Sequence, residues 1–292
     1  MKRILVTGAT GNVGFEVAHY LIALNSGSEI IAGIRNENAK QKLTKYPDLH
    51  FRTFDFEQSE TFSAAFNQID VLFLLRPPHI SEVETFFRPL LVAAKKQGIQ
   101  NIVFLSVQGV ETSKVIPHHK IERLIQDLEF NYIFVRPSYF MQNLTSTLLP
   151  EIQDKRSITL PAGHAKFNWI DVKNIGKAAA TLIHHFEKYQ NQSYEITGTE
   201  NKDFEQVAKE ITEVTGENIV YKSVNPISFY FRKKKEGITS GFALVMTILH
   251  FLPRFQSEPN ISVNYKMLTG ENPTTLNQFL VREKGKLTSP IQ

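Results

Sequence analysis

The chain opens Met-Lys-Arg-Ile-Leu-Val-Thr-Gly-Ala-Thr-Gly-Asn-Val-Gly, and this stretch constrains the fold more than anything that follows it. Ile4, Leu5 and Val6 form an apolar run of strand length, glycines stand at 8, 11 and 14, and a helical pattern begins directly after them. A strand that turns sharply into a helix around three spaced glycines makes a phosphate site. The glycines let the backbone approach a pyrophosphate, and the helix start offers unpaired N–H groups at the positive end of its dipole. Three glycines alone carry little weight; the strand before them and the helix after them make the signal specific.

Strand-like and helix-like runs keep alternating, which argues for an α/β fold with a parallel sheet and crossover helices. After Val13, Val17, Leu21 and Ile22 on one helical face come strands over Glu29 to Ile34, His50 to Phe54, Val71 to Leu75, Ile102 to Leu105 and Tyr132 to Val135. Val71 to Leu75 is apolar throughout, as a strand buried on both faces should be. A helix over about Asp171 to His185 and a strand near Tyr194 to Ile196 return to the same sheet. The expected architecture is a Rossmann-type doubly wound sheet over 1–150, completed by about 168–198. A smaller C-terminal α/β substrate or lid domain takes 199–292 with about 151–167, leaving a cleft beyond the carboxyl ends of the strands. In the smaller domain, Asp203-Phe-Glu-Gln206 reads as a capping box for a helix ending at Gly216. Ile219 to Tyr221 and Ile261 to Leu268 read as strands, and Pro273-Thr274-Thr275 opens a last helix.

Composition narrows the function classes. The chain has 292 residues, 42% hydrophobic and 21% charged, which is ordinary for a globular protein. A net charge of +4 fits a small anionic ligand and calls for no nucleic acid partner. The absence of cysteine removes disulfides, thiolate metal sites and cysteine nucleophiles. The histidine pairs His118-His119 and His184-His185 lack the same-face spacing of a helical metal site, so no metal is expected. The first apolar run is too short for a signal peptide, and Phe242 to Leu252 is too short to span a bilayer. The latter reads as a buried or pocket-covering helix, and Arg232-Lys-Lys-Lys235 as a solvated helix face. These features describe a cytoplasmic protein with no membrane partner, either a monomer or a homodimer.

The end of the second strand selects the cofactor. An acidic residue there accepts the ribose 2′-hydroxyl of NAD, whereas arginine accommodates the 2′-phosphate of NADP. Here the chain reads Gly33-Ile34-Arg35-Asn36, and the nearest acid, Glu37, lies beyond Arg35. Arginine grips a phosphate through two parallel charge-assisted hydrogen bonds, so NADP(H) is the expected cofactor. Gly8, Thr10, Gly11, Asn12, Val13 and Gly14 cradle its pyrophosphate. Asp55, ending the third strand, is placed either for the adenine amino group or to cap the next helix. Arg76 opens the loop after the central strand, where the middle of the cofactor would pass.

Beyond these local patterns the chain resembles a known family. Thr7-Gly-Ala-Thr-Gly-Asn-Val-Gly14, Arg35, Phe140-Met-Gln-Asn143 after Arg136-Pro137, and Trp169-Ile-Asp-Val172 before an alanine-rich helix resemble the NmrA-like group of atypical short-chain dehydrogenases. Thr269-Gly-Glu-Asn-Pro-Thr-Thr275 with Phe279 is similar to that group's C-terminal signature. The resemblance implies a Rossmann domain that binds NADP(H), roofed by a small C-terminal domain. Its members include NADPH-dependent quinone reductases, isoflavone-reductase-type enzymes and redox-sensing regulators.

Ordinary short-chain dehydrogenases use a serine after the fifth strand and a Tyr-x-x-x-Lys. Ser106 and Lys120 stand at the serine and lysine positions, but the tyrosine position holds Ile116, which has no proton to transfer. Lys120 then either orients the ribose or, as in isoflavone-reductase-type relatives, serves as general acid or base. Phe140, Met141 and Asn143 either edge the substrate pocket or pack under the lid. Two functions follow as expectations. One is an NADPH-dependent oxidoreductase passing hydride to a small carbonyl or quinone-like substrate. The alternative is a non-catalytic NADP(H)-sensing regulator acting through a protein partner.

Overall fold

A computed structural model describes residues 1–114 and 116–288. The chain begins β1 (Arg3–Val6), α1 (Asn12–Ala23), β2 (Glu29–Ile34), β3 (His50–Thr53), α2 (Phe62–Phe66), β4 (Val71–Leu75) and α3 (Arg88–Lys96). It continues through β5 (Asn101–Leu105), α4 (Pro117–Asp127), β6 (Asn131–Pro137), β7 (Tyr139–Phe140), α5 (Leu149–Lys155), β8 (Ser157–Leu160) and β9 (Phe167–Ile170). Then follow α6 (Val172–His184), α7 (Phe186–Tyr189), β10 (Gln192–Ile196), β11 (Asn201–Lys202), α8 (Phe204–Thr215) and β12 (Val220–Ser223). Last come α9 (Pro226–Lys235), α10 (Ser240–Phe251), α11 (Asn264–Thr269) and α12 (Leu276–Thr288). These elements form two units.

The first unit takes Met1–Pro137, Val172–Ile196 and Asn264–Glu271. Its sheet has seven parallel strands in the order β10-β6-β5-β4-β1-β2-β3. Helices on both faces explain why β4, and β5 after Asn101, read as unbroken apolar runs. One face buries a phenylalanine-rich core that includes Phe54, Phe66, Phe87, Phe104 and Phe134. On the other face α1 packs against α6. The approach is close enough that a Cβ on Gly176 would stand 2.4 Å from Cβ of Glu16. Asn174 of α6 donates to the Tyr265 hydroxyl at 2.9 Å and so ties α11 to the same layer.

The second unit takes Ser138–Asp171, Thr197–Val263 and the chain from Asn272 onward. It holds a three-stranded sheet, β11-β9-β7, and the parallel pair β12-β8. Trp169, Phe204, Phe229 and Phe279 lie in its core. Asp203 accepts from Gln206 N–H while the Gln206 side chain accepts from Asp203 N–H, the reciprocal cap that the sequence predicts for α8. Asp171, fully buried, is held by Arg282 Nη1 and Gln142 Nε2, each at 2.6 Å.

Several sequence expectations are corrected here. The stretch Ile261 to Leu268 contains the helix α11 in place of a strand, because Tyr265 and Leu268, three residues apart, are its buried positions. The opening stretch of the first unit runs to Pro137 where the sequence reading took it to 150, since β7 pairs with β9 in the other unit's sheet. It also gains Asn264–Glu271, through the packing of α11 on α6. The helix that the sequence pattern opens at Lys120 starts three residues earlier, at Pro117, where a proline in the first turn loses no hydrogen bond. The helix expected over Phe242 to Leu252 forms as α10, but it buries one side only.

Candidate dinucleotide site

The seven-stranded sheet sets the site by topology. Chain order reverses on either side of β1, which has β4 on one flank and β2 on the other. In open α/β sheets such a switch point, at the carboxyl ends of the strands, is where ligands bind. Five of the residues predicted for the site directly follow or closely follow adjacent strands. Ser106 follows β5, Arg76 β4, Gly8 β1, Arg35 β2 and Asp55 β3. With neighbouring strands about 4.8 Å apart, that row runs about 19 Å, a span suited to an extended dinucleotide.

At the centre the glycines do what their spacing predicts. Gly8 has φ +64°, and Gly11 N–H donates to Gly8 O at 2.9 Å, closing the turn out of β1. A Cβ on Gly14 would lie 2.3 Å from that same oxygen, so only glycine lets α1 begin against the loop. Gly11 is the N-cap of α1 and supplies no side-chain acceptor, and the first turn holds no acidic residue. The N–H groups of Asn12, Val13 and Gly14 at this helix start have no intrahelical acceptor and are free to meet an anion. Thr10 is half-buried and Asn12 exposed in the same loop, while Val13 is buried and anchors the turn.

Thr7, which sequence reasoning left without a role, joins the two strands at the switch point. Its hydroxyl donates to Phe73 O at 3.0 Å and accepts from Leu75 N–H at 2.9 Å. These bonds satisfy β4 where β1 turns away. A threonine immediately before the first glycine was the available signal.

The flanking residues differ in how free they are. Arg35 is exposed, and its guanidinium makes no hydrogen bond or ion pair among the described residues. Asp55 does not cap the next helical turn, whose N-cap is Gln58; its Oδ1 instead accepts from Glu57 N–H within the loop at 3.0 Å. Arg76 turns back on its own loop, donating from Nη1 to Pro77 O at 3.0 Å and to Ile80 O, and from Nε to His118 Nε2 at 3.4 Å. Its guanidinium is thus committed to closing that loop, which the sequence did not reveal. Burial, reinforced by the charge of Arg76, presses the His118 imidazole down to about 3, so His118 is a neutral acceptor.

Ser106 is 2% exposed, its N–H donates to Val135 O at 2.8 Å, and its Oγ has no hydrogen-bond partner. A buried hydroxyl without a partner costs about 1–3 kcal/mol, and a ligand oxygen or amide at the end of β5 would satisfy it. Lys120 lies exposed in the first turn of α4. That helix is pinned to β6 by Arg136, which binds Glu122 through Nε at 3.0 Å and Nη2 at 2.7 Å. Ile116, the N-cap of α4, is extended and half-buried. Among the described residues no three His, Asp or Glu side chains gather as a metal ion requires. The glycine cradle, the uncapped helix start, the unpartnered Arg35 and the orphaned Ser106 hydroxyl all fit a phosphorylated dinucleotide.

The predicted substrate residues belong to the second unit. Phe140, in β7, pairs with Ile170 and is half-buried. Met141 is buried in that unit's core. Asn143 is half-buried, bonds the Tyr139 hydroxyl through its side chain and accepts Leu148 N–H at 2.9 Å through its carbonyl. Tyr139 in turn meets Nε2 of the buried His250 at 2.9 Å. Neither this pair nor the Asp171–Arg282 pair has a sequence signal, since each joins residues 111 positions apart.

The sequence profile of the NmrA-like family matches residues 1–280. Among characterised proteins, prestalk A differentiation protein A of Dictyostelium discoideum is 26% identical over 94% of this chain and 90% of its own. Among solved structures, the NADPH-dependent quinone oxidoreductase of Escherichia coli complexed with NADPH superposes with a TM-score of 0.85. It is 22% identical, over 96% of this chain and 99% of its own. The Citrobacter triphenylmethane reductase complexed with NADP(H) gives 0.83 at 24% identity, over 96% and 99%.

Proposed function

This chain belongs to the NmrA-like family, and from that footing we propose that it is an NADPH-dependent oxidoreductase acting on a small quinone-like or carbonyl acceptor. The observation that carries this reading is the Gly8–Gly14 cradle opening on an uncapped α1, with the unpartnered Arg35 one strand away. Two structural neighbours, a quinone oxidoreductase complexed with NADPH and a dye reductase complexed with NADP(H), lend it support.

The bound cofactor supplies the hydride; the chain's own residues bind and orient. Backbone N–H groups from Gly8 to Gly14 hold the pyrophosphate, and Arg35 takes the 2′-phosphate through a two-pronged contact. Asp55 stands at the adenine end of the row. Ser106 would offer its free hydroxyl to the reacting end, and Lys120 would orient ribose hydroxyls or pass a proton. A quinone suits a site with Ile116 in place of tyrosine, because water can protonate the reduced product once hydride has arrived.

A second reading, a dinucleotide-sensing regulator that acts through a protein partner, draws on Ile116 itself. One experiment separates the two: titrate NADPH, NADP and NAD by calorimetry, then follow NADPH oxidation across quinones, aldehydes and triarylmethane dyes. Turnover of any acceptor supports the enzyme. Tight NADPH binding with no turnover of any of them favours the sensor, and no dinucleotide binding overturns both.

A further inference from the structure

We infer that α9 and α10 of the second unit form a docking face for an anionic phospholipid bilayer. The twelve residues of α10 carry no acidic or basic group apart from His250. Ala243, Met246, Thr247 and His250 are its buried side. Leu244, Val245, Ile248 and Leu249 remain 43–50% exposed, and Leu252, one position past the helix, is 47% exposed. Those positions recur at i, i+1, i+4, i+5 and i+8, which is one side of a helix. The helix cannot roll to hide them, because His250 holds it in place. Nε2 meets the Tyr139 hydroxyl of β7 at 2.9 Å, while Nδ1 meets Met246 O of the same helix at 2.6 Å and fixes the ring.

Beside α10, α9 exposes Ile227 and Phe231, one turn apart, with Lys234 on the same stripe. The segment from Pro226 to Gln256 contains five Lys or Arg and a single acid, Glu236. Glu236 is already shared by Arg232 and Lys233. Lys234 and Lys235 are exposed and have no acidic partner among the described residues. An apolar face that lacks acids and is edged by unpaired lysines complements acyl chains beneath anionic headgroups. A second copy of the same face would bring more lysines and, as its carboxylate, only Glu236, which Arg232 and Lys233 already hold. At twelve residues α10 is about 18 Å long, short of the roughly 30 Å a span requires, so it lies in the interface. The sequence expectation of no membrane partner lacked the exposed side of α10, which only the structure supplies. This proposal is independent of the cofactor reading.

The test is co-sedimentation of the full chain with phosphatidylcholine vesicles, with and without phosphatidylserine. Binding to the serine-containing vesicles alone, weakened by salt, is expected. The double change Lys234→Glu, Lys235→Glu should weaken it by at least about 25-fold, and Leu244→Gln with Ile248→Gln should abolish it. Both pairs are exposed, so thermal melts of the variants should match the parent. Failure to bind anionic vesicles, or equal binding by parent and variants, overturns the proposal. So does a concentration-dependent dimer in equilibrium sedimentation that Ile248→Gln dissolves, for that would make a second copy the occupant.

Discussion

Gly14 has no room for a single added methyl group. A Cβ there would stand 2.3 Å from Gly8 O and 2.9 Å from Ala9 N, both backbone atoms that cannot swing aside. Gly14→Ala should therefore cost about 1–3 kcal/mol in urea unfolding and abolish dinucleotide binding in calorimetry. Gly11→Ala, whose Cβ would sit 3.3 Å from the same oxygen, should be tolerated far better. Arg35 makes the opposite prediction, since it is exposed and makes no hydrogen bond or ion pair among the described residues. Arg35→Ala should leave the melting temperature unchanged and weaken NADPH by about 10–100-fold, as loss of a charged hydrogen bond does, with little effect on NADH. Equal losses for both cofactors would refute the 2′-phosphate assignment. These residues were legible because their signal is local, a few positions of glycine and arginine beside a strand. Ser106 was legible by position and not by its unpartnered hydroxyl, and the binding of Arg76 to His118 depended on a contact 42 positions away.

Between elements, the critical contact is that of α1 with α6. Gly176→Ala would set a Cβ 2.4 Å from Cβ and 2.7 Å from the carbonyl carbon of Glu16, so the helices must separate. A stability loss of about 1–3 kcal/mol is expected from denaturant melts. NADPH affinity should fall as well if the start of α1 holds the phosphates, as proposed. In the second unit, α10 gives an acid-sensitive element. Burial pushes His250 down to about 4, against about 6.5 in an unfolded chain. As pH falls from about 6.5 through 4 the unfolded chain takes up a proton that the folded one refuses, so up to about 3 kcal/mol of stability is lost. His118, pressed to about 3, adds to the same trend from the first unit. Urea midpoints measured across that window should drop, and His250→Phe should flatten the slope while lowering stability near neutrality by leaving the buried Tyr139 hydroxyl with Asn143 alone. Elements were read best where burial made the pattern plain: Glu29–Ile34 and Val71–Leu75 fall on the predicted bounds. The region around Tyr265 and Leu268 was misread because a short apolar run carries no period of its own.

For the whole molecule, chain order and unit membership diverge. A fragment of residues 1–137 contains the predicted cofactor residues, yet it lacks β10, α6 and α11. It leaves β6 with an open edge and α1 without its partner, so circular dichroism melts of this fragment should show no cooperative transition. The full chain should show one. Sequence reading placed the return to the sheet correctly in kind, through the alanine-rich run after Asp171. It could not foresee that Asn264–Glu271 also belongs to the first unit, because that membership is decided by Tyr265 reaching Asn174 at 2.9 Å.

Each unit is assembled from three separate stretches of one polypeptide, with junctions after Pro137, Asp171, Ile196, Val263 and Glu271. A gene encoding such a protein cannot trade one half with a relative by a single recombination event. A crossover at any one junction leaves at least one unit assembled from both parents. New acceptor preferences in this lineage are therefore expected to arise by point substitution within an inherited whole, and chimaeras built with one crossover should emerge insoluble, whichever joint is chosen.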